Sequence, residues 1–215
     1  MHIEPGYIIA AKVAVANGVA VSMVAYYARF LVTNPTNIIK TLLAALFFSL
    51  FMQSVHMPVG PSELHFIGAS AMYFLLGFVP TVLGFSLGLL LQGLVFEPTD
   101  LVHLGVNSLS LMIPLVTVHF ALGKHFFEQK TKLSWANIVK FDAMYYAGVT
   151  SMVGFWLLVS QVETPFMAWL TFTASYISIV AFEPVFTYFT VKAMKKYEER
   201  SVISQFFAVK ALKFK

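Results

Sequence analysis

The chain has 215 residues, 59 % hydrophobic and 11 % charged, with a net charge of +4 and a mean hydropathy of +0.78. So little charge excludes an ordinary soluble domain, in which about one-quarter of residues are charged. The absence of cysteine excludes disulfides, thiolate metal sites and cysteine nucleophiles. At about 20 apolar residues per crossing, the length accommodates six or seven membrane spans as one transmembrane domain over residues 1–215, with no separate soluble module.

The chain opens on Met1-His2. Retained and unblocked, these two residues are a chelator: the Met1 amine, the His2 amide nitrogen and His2 Nδ1 close one five-membered and one six-membered ring on a metal ion. Three nitrogens in a tetragonal set suit Ni(II) or Cu(II), with Co(II) lower in affinity order. The bulk of His2 predicts that Met1 is kept. Taken alone, His2 is equally a chance residue after the start. No basic stretch with a small-residue cleavage site follows, so a removable signal peptide is not expected.

Seven apolar runs follow in order: Tyr7–Tyr27, Ile38–Val55, Phe66–Val79, Thr81–Phe96, Leu101–Leu122, Ile138–Ser160 and Phe166–Val191. Lipid forces backbone groups to pair within a segment, so each is expected to be helical. The predicted fold is an all-α polytopic membrane bundle of about seven helices. The third and fourth runs are short and joined only at Phe78-Val79-Pro80, and read either as two spans or as one broken hairpin. Thirteen of the 14 basic residues fall on one side if the N-terminus is outside: Arg29 and Lys40, then Lys124 to Lys140, then the tail from Lys192 to Lys215. This asymmetry predicts the N-terminus outside, the C-terminus inside and an odd number of spans. The tail 192–215 alternates basic residues with Phe206, Phe207, Val209, Leu212 and Phe214, and reads as a basic amphipathic segment against anionic lipid or a cytosolic partner.

Between the second and third runs, Pro58, Gly60 and Pro61 predict a rigid non-helical loop at the outer face. His65 stands where that loop enters the third helix. By spacing it is either the fourth nitrogen for the Met1-His2 chelate or an interfacial histidine, and His56 is its rival. Glu63 or Ser62 could orient an imidazole N–H, as metal-bound histidines usually require. Gln92 and Asn107 are polar groups inside lipid, which are costly and call for a partner. Each either holds the N-terminal strand or packs helix against helix. His103, His119 and His125 lack a spacing partner and read as structural. Glu183, beside Pro184 in the last run, is expected either to pair with a buried partner or to sit protonated. Ala10, Ala14 and Gly18, and Gly84 with Gly88, make small-residue faces that allow close helix approach. The chain has no phosphate-binding loop, so any ATP must be bound by another subunit.

Four stretches together resemble the substrate-binding S component of nickel/cobalt energy-coupling-factor transporters, the CbiM/NikM family. They are Met1-His2-Ile3 with Gly6, His65-Phe66-Ile67-Gly68, Leu89 to Phe96 around Gln92, and Gly105-Val106-Asn107. The resemblance covers the first half of the chain, to about Pro114; the second half agrees in hydropathy and length. It implies a seven-helix subunit that binds metal through Met1, His2 and His65, with Asn107 in support. Glu4-Pro5-Gly6 and Glu97-Pro98-Thr99-Asp100 depart from the family's usual turns.

The resulting expectation is a multi-pass plasma-membrane subunit that captures Co²⁺ or Ni²⁺ as cargo and has no cofactor of its own. Met1, His2 and His65 are the ligands, and His56, Glu63, Gln92 and Asn107 are candidates to support them. The implied partners are a membrane scaffold subunit and two cytosolic ATPase subunits, with no nucleic acid. An intramembrane metal enzyme is disfavoured by the lack of a paired His-Glu motif with a general base. A stand-alone channel or carrier is disfavoured by the lack of an inverted repeat.

Overall fold

A computed structural model describes residue 3 and residues 6–59, 62–163 and 166–214. Met1, His2 and Glu4 lie outside the described residues. The first two runs become α1 (Ala10–Thr33) and α2 (Thr36–Ser54). The loop predicted at 56–65 is an antiparallel hairpin of β1 (His56–Val59) and β2 (Ser62–His65), with His56 opposite His65 and Val59 opposite Ser62. These strands are the departure from an all-α fold.

The third run yields only α3 (Ala69–Leu76), eight residues and all of them buried. At about 1.5 Å per residue it is about 12 Å long and too short to cross a bilayer. A helix apolar on every side is a core helix, and α3 is enclosed by its neighbours. The break falls at Gly77, φ +95°, rather than at Pro80. Pro80 lies in the first turn of α4 (Phe78–Val95), where a missing N–H costs nothing.

The fifth run extends from a 3₁₀ turn at Pro98–His103 through α5 (Leu104–Val118), a π-helical turn at His119–Gly123 and α6 (Lys124–Phe127). The π turn carries Gly123 against Tyr73, where a Cβ would sit 2.1 Å from the hydroxyl. Then come α7 (Trp135–Leu158) and α8 (Phe166–Lys196). Among the described residues, five helical segments are long and apolar enough to cross a membrane: α1, α2, α4, the 98–127 segment and α8. α7 is as long as α1, at 24 residues, but is not among them, and carries Asp142, Tyr145 and Tyr146 in its first half.

Helix α5 is central, packed on α1, α4 and α7, whereas α1 lies at the periphery. α2 and α4 pack most intimately, because Gly84 and Gly88 admit Ala44 and Phe48; a Cβ on Gly84 would meet Ala44 Cβ at 2.4 Å. Ala10, Ala14 and Gly18 instead face outward on α1. The many exposed large hydrophobic side chains are a lipid-facing surface.

The tail packs on the bundle. It folds back through α9 (Ser201–Phe206) and a 3₁₀ turn at Ala208–Ala211 against α2, α3 and α8. Val209 and Leu212 are buried there, Lys195 Nζ donates to Val209 O at 3.2 Å, and Leu133 N donates to Lys213 O at 2.7 Å. The apolar half of the predicted amphipathic pattern is covered by protein.

Candidate metal centre

Ile3 is the first described residue and is completely buried. Its backbone is held from three sides. It bridges Ser62 antiparallel, extending the hairpin by one partner. Its N–H donates to Asn107 Oδ1 at 3.1 Å. Its carbonyl accepts from His103 Nδ1 at 2.9 Å, which puts the imidazole proton on Nδ1. Both side chains come from the start of α5, where the 3₁₀ turn hands over to the helix. Gly105, between them, lies so close to α1 that a Cβ would sit 2.3 Å from Asn17 Oδ1, and its N–H donates to that atom at 2.8 Å.

The stretch after Ile3 is anchored as well. Gly6 turns with φ +98°, a backbone state glycine adopts without strain. Gln161 donates from Nε2 to Gly6 O at 2.7 Å and from its backbone N–H to Tyr7 O at 2.8 Å.

His65 ends β2, with only 3 % of its surface exposed. Its Nδ1 lies 3.3 Å from Met52 O in the last turn of α2, so Nδ1–H is the donor to that carbonyl. Nε2 lies 3.0 Å from Glu63 Oε2, two residues earlier on the same strand face. An imidazole with N–H on a backbone carbonyl and its other nitrogen directed elsewhere is the arrangement that orients a metal-ligating histidine. A carboxylate beside Nε2 favours positive charge at that point, as a proton on the ring or as a cation.

The remaining sequence candidates fall as follows. His56 is exposed and faces His65 across the ladder, with ring centroids 6.2 Å apart. Gln92 accepts from Ser49 Oγ at 3.1 Å and donates to Gln53 Oε1 at 2.8 Å, so its hydrogen bonds stitch α2 to α4 rather than hold Ile3. His119 stacks on Phe78 at 3.7 Å and bonds Tyr73 Oη at 2.7 Å; His125 pairs with Glu128 at 3.6 Å. Sequence reasoning missed His103. Its position in the Pro98–His103 turn, four residues before Asn107, was the available signal. Among the described residues no three His, Cys, Asp or Glu side chains come together to hold a metal ion.

A family model for the cobalt uptake substrate-specific transmembrane region, CbiM, matches residues 2–201. The chain belongs to the CbiM family. Its members are metal-uptake membrane components, and this chain is accordingly a membrane-embedded part of a cobalt or transition-metal transporter. Two solved structures share the fold. One, described as a transition metal transporter, superposes with TM-score 0.74 at 19 % identity over 96 % of this chain and 97 % of its own. The other, a truncated transition metal transporter, gives 0.69 at 18 % over 90 % and 99 %. No curated protein matches by sequence. The CbiM match extends through the second half of the chain, which sequence motifs alone had left unsupported.

Proposed function

We propose that this CbiM-family chain is the substrate-capture subunit of an ATP-driven importer of Co²⁺ or Ni²⁺. The ion binds at the outer face through the Met1 amine, the His2 amide nitrogen, His2 Nδ1 and His65. The supporting observation is the clamp on Ile3. Asn107, His103 and Ser62 hold the residue that follows His2 against the strand that carries His65. Consecutive Cα atoms are about 3.8 Å apart, so this anchor limits the reach of the chelating pair and pre-orders it for a fourth nitrogen. Pre-ordering lowers the entropy lost on binding.

The cargo is matched by donor chemistry. Nitrogen ligands in tetragonal geometry select late divalent first-row metals over Mg²⁺ or Ca²⁺. Glu63 then serves as a neighbouring anion for the bound cation, and His56 as a residue at the mouth. The chain is a single transmembrane domain of seven helical segments, N-terminus outside, in the plasma membrane. A membrane scaffold subunit and two cytosolic ATPase subunits supply the ATP hydrolysis that moves the ion inward.

The test is metal content and uptake with a native and an extended N-terminus. A residue added before Met1 moves the amine out of the chelate. Stoichiometric Co²⁺ or Ni²⁺ in the native protein and loss of it in the extended one supports the site; equal content in both refutes it. Uptake in cells lacking other cobalt and nickel importers should require co-expression of the scaffold and ATPase subunits. Uptake by this chain alone would refute the importer role.

A further inference from the structure

A second polar site lies inside the bundle, between α3, α7 and α8. Glu183 of α8 is completely buried. Its Oε1 accepts from the Ser70 N–H at 3.1 Å and its Oε2 from Tyr146 Oη. It also faces the amides of Gly68 and Ala69. These are the unpaired donors at the start of α3, and a carboxylate there is well satisfied in its charged form.

Asp142 of α7 is equally buried and has no such company. Among the described residues the Ser70 hydroxyl is its one hydrogen-bond neighbour, and shares a second bond with Thr187 Oγ1 at 2.7 Å. The buried hydroxyl of Tyr145 has no hydrogen-bond partner among them. The groups around the two carboxylates are Tyr145, Tyr146, Tyr176, Ser70 and Thr187. No Lys, Arg or His pairs with either acid among the described residues.

Two uncompensated carboxylates in a low-dielectric interior do not coexist as anions. One positive charge is missing. The donors nearby are all oxygens, from carboxylates and hydroxyls, which suit a proton or a small hard cation and not a late transition metal. Ionisable groups at such depth are functional by default.

We propose that Asp142 and Glu183, with Ser70, Thr187 and Tyr145, form an intramembrane site for one monovalent cation, a proton or a sodium ion, separate from the cargo site. The inference is independent of the Met1-His2 reading. The unfolded chain exposes both acids, which ionise near pH 4. If the folded pair retains a proton at neutral pH, the folded state binds one proton more than the unfolded. The folding constant then falls about tenfold per pH unit from about pH 5 up to the pH at which the folded pair gives up its proton, whatever the salt. If the occupant is Na⁺, the folding constant instead rises about tenfold for each tenfold increase of Na⁺ above its dissociation constant.

The experiment is thermal unfolding of the full chain in detergent from acid to alkaline pH, in sodium chloride or choline chloride at equal ionic strength. Wild type is compared with Asp142→Asn and Glu183→Gln. The proposal expects wild type to show one of the two dependences and Asp142→Asn to lose it. The same pH and sodium response in wild type and Asp142→Asn would overturn it. Should both variants fail to fold, infrared difference spectra of wild type decide. A buried carboxylic-acid carbonyl band that disappears with rising pH or added Na⁺ supports the site. A carboxylate signal unchanged by both overturns it.

Discussion

Asn107→Ala tests whether the clamp on Ile3 serves metal capture. The substitution removes the side-chain acceptor of the Ile3 N–H, a bond of 3.1 Å on a residue with no exposed surface. A buried amide left without a partner costs about 1–3 kcal/mol. The arm avoids that cost by leaving its place, so each binding event must re-seat it. At about 1.4 kcal/mol per tenfold, affinity for Co²⁺ or Ni²⁺ should fall about 5- to 150-fold. The helices of the bundle do not depend on this bond, so the unfolding midpoint should move little. The assay is metal titration in detergent beside thermal unfolding. His103→Ala removes the donor to the Ile3 carbonyl at 2.9 Å and should act in the same range. Because both act on one residue, the double variant should cost less than the sum. Unchanged affinity in Asn107→Ala with an intact fold would refute the clamp, and equal loss of affinity and stability would reduce Asn107 to a packing residue.

His2→Ala and His65→Ala should each abolish stoichiometric binding, whereas His119→Ala and His125→Ala should leave it intact, as read by metal analysis of purified protein; a greater loss for His56→Ala than for His65→Ala would reassign the ligand. Affinity should rise steeply between about pH 5 and pH 8, with release of more than one proton per ion, because imidazole and amine nitrogens must shed protons to bind. A site made of carboxylates alone would already be ionised and would give a flat profile with effective Mg²⁺ competition, so that outcome overturns the nitrogen set. Gly68→Ala should lower stability by about 1–2 kcal/mol from the left-handed backbone alone, since Gly68 has φ +63°. It should lose more from Phe51, whose ring lies 2.7 Å from the added Cβ; a melting curve matching wild type would contradict the geometry at the start of α3.

The candidate site was legible only in part. Met1, His2 and His65 were suggested by ligand chemistry and position and singled out by the family resemblance, and of the three only His65 lies among the described residues; Asn107 was legible as a costly amide in an apolar run. His103 was missed, because its one sequence signal, a place four residues before Asn107, does not say what the side chain meets. Its role depends on a backbone 100 residues away. Gln92 gave the same signal as Asn107, yet its partners are Ser49 and Gln53 in the facing helix. Hydropathy could not separate them, since it records the cost of burying an amide but not which neighbour offsets it.

Composition and run length determined by themselves that this chain lives in a membrane as helices, because lipid leaves the backbone no other way to satisfy its hydrogen bonds. The four short motifs determined its family. Tertiary structure alone decided that the third run is an enclosed eight-residue helix with a hairpin before it, that the basic tail folds back on the bundle, and that Glu183 meets the start of α3. Each of these turns on contacts between residues far apart in sequence. In an apolar chain every helix face is lipid-compatible, so hydrophobicity ranks no face above another. The choice of partner is left to close packing at glycines and to the few buried polar groups that must find one another.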